Sequence, residues 1–192
     1  MRTKLFFFTI AWLFPLVVAS ALRAQPVDTC LARLPNYSES TLKARVDSCS
    51  PLIKSGTLSR EDLENAYVHR GFAYQHMDQQ DDALLDFSQA IQILPADPDP
   101  YLARATSFVS IGMYFKSNGR GTDARVQYYM AINDLSRAIE LTGADARRRA
   151  LAFCQRSHVF SIMGESEKAK SDSAEMLRIV LGSNIRTPPG CG

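Results

Sequence analysis

Three histidines, four cysteines and one dense basic run are the groups in this 192-residue sequence that could carry chemistry. His69 and His76 stand seven positions apart, which places them on one face of a helix, two turns from each other. A metal or acid–base role would need further ligands on that face, and Gln75 and Asp78 are poor ones, so both histidines read as polar residues lining a groove. No His-Glu-x-x-His or Cys-x-x-Cys spacing occurs, and Gly119-Arg120-Gly121 has too few glycines at the wrong offsets to cradle a phosphate. The serines are scattered, none of them at a strand-to-helix elbow. Arg147-Arg148-Arg149 reads as the solvated start of a helix or, alternatively, as a dock for an acidic partner. These residues supply no catalytic group, no metal site and no cofactor site. The expectation is a non-enzymatic protein that acts by binding.

Composition bounds the rest. A hydrophobic content of 46% with 22% charged residues is that of a folded chain and excludes wholesale disorder. A formal charge of +2 gives no pull toward nucleic acid. Arg2 and Lys4 precede an almost wholly apolar run from Leu5 to Ala19, and Ala19-Ser20-Ala21 supplies a small-x-small cleavage site. That layout predicts a secretory signal peptide over 1–21, with an uncleaved membrane anchor as the alternative, and hence a periplasmic or secreted protein with no stable membrane insertion after cleavage. Without those residues the basic and acidic groups balance, 20 against 20. The balance is uneven along the chain. Leu22–Asp97 carries 7 basic and 11 acidic residues, a net of −4, and Pro98–Gly192 carries 13 and 9, a net of +4.

Export into an oxidising compartment lets paired cysteines persist as disulfides. Cys30 and Cys49 are close in sequence and are the expected pair. Cys154 falls on the buried face of another helix and Cys191 in a Pro-Pro-Gly-Cys-Gly tail, so a second bridge between them is an option rather than an expectation. The rival class is a redox-active thiol protein or an enzyme accessory subunit using Cys191.

The chain beyond the export segment shows helical periodicity and helix punctuation, with no alternating strand pattern of any length. Ser59-Arg-Glu-Asp62 forms a capping box ahead of Leu63, Tyr67, Phe72 and Tyr74. After Asp81-Asp82 a second apolar series runs through Ala83, Leu84, Phe87, Ala90, Ile91 and Leu94 and stops at Pro95. This stretch resembles the tetratricopeptide repeat (TPR), a unit of 34 residues forming a helix–turn–helix. With Glu64 as first position, Tyr67, Gly71, Tyr74, Ala83, Phe87, Ala90 and Pro95 fill seven of the eight signature places, and Arg70 departs where a leucine is usual.

A second unit begins at Pro98 with Tyr101, Ala105 and Phe108, but its second-helix positions Ala131, Leu135 and Ala138 arrive 14 residues late. The insert holds one turn signal, Asn118-Gly119-Arg120-Gly121, so the two helices of this unit are each about two turns longer, near 99–116 and 122–141, and project about 10 Å further. Thr122 or Asp123 is expected to cap the second, and Gly143 to end it. A third unit, with Phe153, Ser157, Phe160 and Ala169, is degenerate, as suits a terminal repeat, and Gly182 is expected to end its last helix. An amphipathic helix over about Glu39–Lys54, which Pro51 would kink or interrupt, reads as the N-terminal cap. The segment from Asp47 to Gly71 is also similar to the start of small exported TPR proteins of alphaproteobacteria.

The expected architecture is therefore an all-α, short right-handed TPR solenoid of about seven helices. Its parts are a signal peptide (1–21), an N-terminal segment and capping helix (22–63), TPR 1 (64–97), TPR 2 with an elongated hairpin (98–145), a degenerate TPR 3 (150–183) and a flexible tail (184–192). The resemblance implies a concave face that binds a peptide or protein partner. Carried over by position, its lining is Asn65, Val68, His69, Phe72, Gln75 and His76 in the first repeat and Asp99, Leu102, Thr106 and Val109 in the second. The Lys/Asn set by which chaperone-binding members clamp a terminal carboxylate is missing, since Val68 and Phe72 occupy two of its places, so binding of a chaperone tail is not expected. The long hairpin is a second candidate contact surface or the interface of a homo-oligomer.

Overall fold

A computed structural model describes residues 26–191, so the expected signal segment lies outside the described residues. Among them are eight α-helices and no strand: α1 (Pro26–Leu31), α2 (Glu39–Ser55), α3 (Arg60–His76), α4 (Gln80–Ile93), α5 (Asp99–Ser117), α6 (Gly121–Leu141), α7 (Ala146–Ile162) and α8 (Ser166–Ser183). The additional helix is α1, whose 6 residues are too few to show a period in sequence. Each helix packs chiefly on its neighbours in the chain, with α3/α4, α5/α6 and α7/α8 as the closest pairs. The result is a repeat-like, all-α run of helical hairpins.

Small residues set how closely each pair approaches. A Cβ added at Gly71 would lie 2.7 Å from the ring of Phe87, so the aromatic on α4 rests on bare backbone of α3. In the longer hairpin a Cβ at Gly112 would lie 2.5 Å from the ring of Tyr128, the same device two turns further out. The insertion is therefore shared between α5 and α6 and packed with a buried residue of its own, since Tyr128 is 2% exposed. Its neighbour Tyr129 faces solvent.

Several local expectations change. Pro51 does not interrupt α2, which runs through it. The bridged Cys49 and the buried Arg45 hold the turns before it, and this packing outweighs the one lost backbone bond. Neither Thr122 nor Asp123 caps α6; Arg120 is at the N-cap without a side-chain bond, and Asp123 accepts from Arg120 Nε at 2.7 Å. Helix α8 passes through Gly182 and ends at Asn184, which takes the left-handed conformation at φ 49°. Ser59 does cap α3, its Oγ accepting from the Asp62 N–H at 3.0 Å.

Two disulfides close the described chain. Cys30–Cys49 joins α1 to α2 with Cα atoms 4.9 Å apart, and Cys154–Cys191 joins α7 to the C-terminal segment with Cα atoms 5.8 Å apart. The segment expected as a flexible tail is thus tethered, and its Pro188 is buried. Ile185 and Cys191 pack with Phe153 and Cys154 against the core of the last hairpin, around Met176, Ile179 and Val180.

Candidate functional site

Three arginines that no site assignment included organise the inner structure. Arg70 on α3 donates Nε–H and Nη2–H to Asp86 on α4 at 2.8 and 2.7 Å, and Nη1–H to Ser50 on α2 at 3.1 Å. Arg104 on α5 makes the same bonds to Asp134 (2.8 and 2.8 Å) and Ser88 (2.9 Å). Arg156 on α7 makes them to Asp172 (2.7 and 2.9 Å) and Ser136 (2.8 Å). Each guanidinium also lies between two aromatic rings on one helical face, two turns apart: Tyr67 and Tyr74, Tyr101 and Phe108, Phe153 and Phe160. One side chain thereby joins the two helices of its own hairpin and the preceding helix. The clamps are structural: burial raises the Asp86 carboxyl and Arg70 partly offsets the shift, while the hydrogen bonds to aspartate raise Arg70 and Arg104. The signal was present in sequence as aromatic-x-x-Arg-x-x-x-aromatic, repeated three times, with Asp-x-Ser on α4 and α6.

The clamps present the inner faces of α3, α5 and α7 side by side. Asn65, Val68, His69, Phe72, Asp99, Leu102 and Thr106 line one concavity of about 420 Å³, with Leu151 and Gln155 opposite them. Val109 belongs to an adjoining concavity of about 230 Å³, walled by His158 and by Pro189 and Cys191 of the tethered tail. Gln75 lines neither; its amide donates to Ser107 Oγ at 2.8 Å and to the Ala103 carbonyl at 3.3 Å, tying α3 to α5. His76 lines neither; it stacks on Tyr37, ring centroids 4.3 Å apart, and borders a third cavity together with His69 and Phe72. Sequence reasoning missed Leu151, Gln155 and His158. Counted from the clamp arginines Arg104 and Arg156, they take the register of Asp99, Ala103 and Thr106.

Electrostatics divides this surface. Arg45 on α2 donates to His69 Nδ1 at 2.8 Å, and burial, then the Arg45 charge, push the His69 pKa down to about 4, so the imidazole is neutral at physiological pH. Glu64 is 3% exposed, and burial, then Asp97 and Asp99, push its carboxyl up to about 7. Arg148 of the basic run is engaged by Asp99 and Asp145, and Arg149 donates to the Gly143 carbonyl, so two of the three cations are spent within the fold. Among the described residues no group of His, Cys, Asp or Glu is placed to hold a metal, no helix is long and apolar enough to cross a membrane, and no cysteine is free. Cys191, in its bridged state, has no thiol with which to act as a nucleophile.

Fold and surface together define a helical repeat-like protein with a groove along one face. No protein-family model matches the chain, and no curated protein matches it. Among solved structures it is similar to BtubC (BKLC) from P. vanneervenii, with 14% identity over 78% of this chain and 82% of that one and a TM-score of 0.27.

Proposed function

We propose that the chain is an exported, non-catalytic binding module of the TPR type, three hairpins and a disulfide-stapled cap stacked as a short solenoid, that holds a protein or peptide segment along the inner face of α3, α5 and α7. The observation that carries this reading is the convergence of seven positions, chosen by repeat register alone, on one concavity. Val68, Phe72, Leu102 and Leu151 supply its apolar contacts, and Asn65, Thr106 and Gln155 can bond to an extended backbone. The two disulfides support a periplasmic or secreted location.

A photo-crosslinker placed at Thr106 in the native envelope tests the reading. A discrete protein or peptide adduct, lost on Leu102→Glu with the helical content unchanged, is expected. Adducts that persist unchanged in the Leu102→Glu variant would remove the groove from the reading. A second surface has its own support: Met113, Tyr114, Val126, Tyr129 and Met130 on the projecting hairpin are 48 to 64% exposed, more apolar surface than a packed hairpin needs.

A further inference from the structure

Four arginines are drawn into this fold, and one breaks the pattern of the others. Arg70, Arg104 and Arg156 each meet an aspartate through two parallel bonds. Arg45 is buried more deeply, 3% exposed, and among residues 29–191, whose side chains the structure describes, its bonds go to a ring nitrogen and a backbone carbonyl rather than to a carboxylate. Its Nη1 donates to His69 Nδ1 at 2.8 Å, its Nη2 donates to the Ala32 carbonyl, and its Nε has no partner. Burial holds its pKa below the ordinary value, and the Tyr37 phenol opposes the shift only in part. Taking a cation out of water costs several kcal/mol or more, and a buried guanidinium ordinarily recovers that through a carboxylate fork.

This guanidinium is not sealed in. Arg45 lines an open cavity of about 280 Å³ together with Arg33, Leu34, Tyr37, His69, Phe72 and His76, and among residues 29–191 no Asp or Glu stands in its walls. Because an arginine can only donate, His69 accepts at Nδ1 and must carry its proton on Nε2, leaving a second donor at the same wall. Leu34, Tyr37 and Phe72 supply apolar and aromatic surface, and the His76 ring is stacked on Tyr37.

We propose that this cavity binds a monoanionic carboxylate carried on an apolar or aromatic body, with Arg45 as its counter-ion, His69 Nε2–H as a second donor, and Leu34, Tyr37 and Phe72 around the body. A phosphate dianion fits less well. One desolvated guanidinium and a neutral imidazole match a single negative charge, and Arg33 is exposed at the rim. The cavity shares His69 and Phe72 with the groove, but the inference stands without the groove reading, since the acid need not belong to a polypeptide.

The test uses the mature, disulfide-bonded chain with ¹⁵N-labelled arginine. Phenylacetate, phenylacetamide, inorganic phosphate, and a short peptide ending in phenylalanine, as free acid and as C-terminal amide, are titrated while the Arg45 Nε–H resonance is followed. The expected result is saturable binding of phenylacetate or of the peptide acid with a shift of that resonance, and each amide weaker by about tenfold or more. The tighter of the two acids tells a free metabolite from a chain terminus, and either supports the site. Arg45→Met should abolish binding. Should that variant fail to fold, Leu34→Glu, a half-buried position that supplies an internal carboxylate, should abolish it at unchanged circular dichroism. An amide that binds as tightly as its acid, phosphate binding more tightly than both acids, or no saturable shift with any probe overturns the proposal.

Discussion

Arg148, in the first turn of α7, donates Nε–H and Nη2–H to the two carboxylate oxygens of Asp99, at the start of α5, at 2.6 and 2.8 Å. The pair joins two hairpins at one mouth of the groove, and Arg148 Nη1 also holds Asp145 at the N-cap of its own helix. In bond geometry it matches the interior clamp of Arg104 and Asp134. In burial it does not: side-chain exposure is 47% and 42% for Arg148 and Asp99, against 21% and 3% for Arg104 and Asp134.

That difference in burial makes the two pairs unequal. Arg148→Ala should cost about 1 kcal/mol or less, shrinking further at high salt. Arg104→Ala should cost about 3–5 kcal/mol, because it leaves Asp134 buried without its partner. Urea denaturation of both variants gives the comparison, and equal losses would mean that the clamps contribute no more than surface pairs.

Gly112→Ala places a methyl 2.5 Å from the Tyr128 ring, and the ring lies against backbone it cannot leave without opening the hairpin. A loss of about 1–3 kcal/mol is expected from such overpacking. Gly121→Ala, where an added Cβ meets nothing within 4 Å, is the control and should change thermal stability little.

Removing 111–117 and 122–128 together takes two turns from each helix of the long hairpin and deletes Gly112 and Tyr128 as a pair. The Arg104–Asp134 separation of 30 residues would then become the 16 of the other two clamps. The shortened chain should fold, with full helical signal per residue and a cooperative melt. If the exposed hairpin residues contact a partner, capture falls; an unfolded product would make the extension a structural necessity.

Glu64 gives stability a dependence on pH. Its folded pKa of about 7 lies above the ordinary 4.5, so the folded state holds the proton more tightly than the unfolded chain. The stabilisation is complete below pH 4.5 and lost as pH rises through 7. Glu64→Gln should therefore raise stability at pH 8 by about 1–2 kcal/mol relative to its effect at pH 5, a figure reduced for residual solvent screening. His69 acts in the opposite sense, with stability lost as pH falls from 6.5 through about 4, and it cancels from the comparison of variant with wild type. A difference between the two chains that does not vary with pH would place the Glu64 carboxyl in water.

Alkylation of the unfolded, unreduced protein should label none of the four cysteines, and labelling after reduction should reach all four. Any thiol that reacts before reduction would reopen a redox role for Cys191.

Periodicity made the longer helices and the even division of the insert legible, because apolar residues every three or four positions and one turn signal are local properties. Helix α1 was not, since its six residues make fewer than two turns and a disulfide holds them. Register placed Asn65, Val68 and Leu102 on the groove but could not show that the Gln75 amide is drawn to Ser107 or that the His76 ring is drawn to Tyr37. Those diversions depend on neighbours distant in sequence. Arg70 looked like a departure when set against an outside pattern. Set against Arg104 and Arg156 it is the rule of this chain, and its aspartate and serine partners follow at fixed offsets.

The two disulfides sit in the first and last helical layers. In a linear run of hairpins the end units, which have a neighbour on one side alone, are where fraying ordinarily begins. With both ends stitched, the first amides to exchange with solvent should belong to the middle of the molecule, at the outer turns of α5 and α6. Reduction should reverse that order, so that opening starts at the termini and the tail peels from α7 before the central clamps let go.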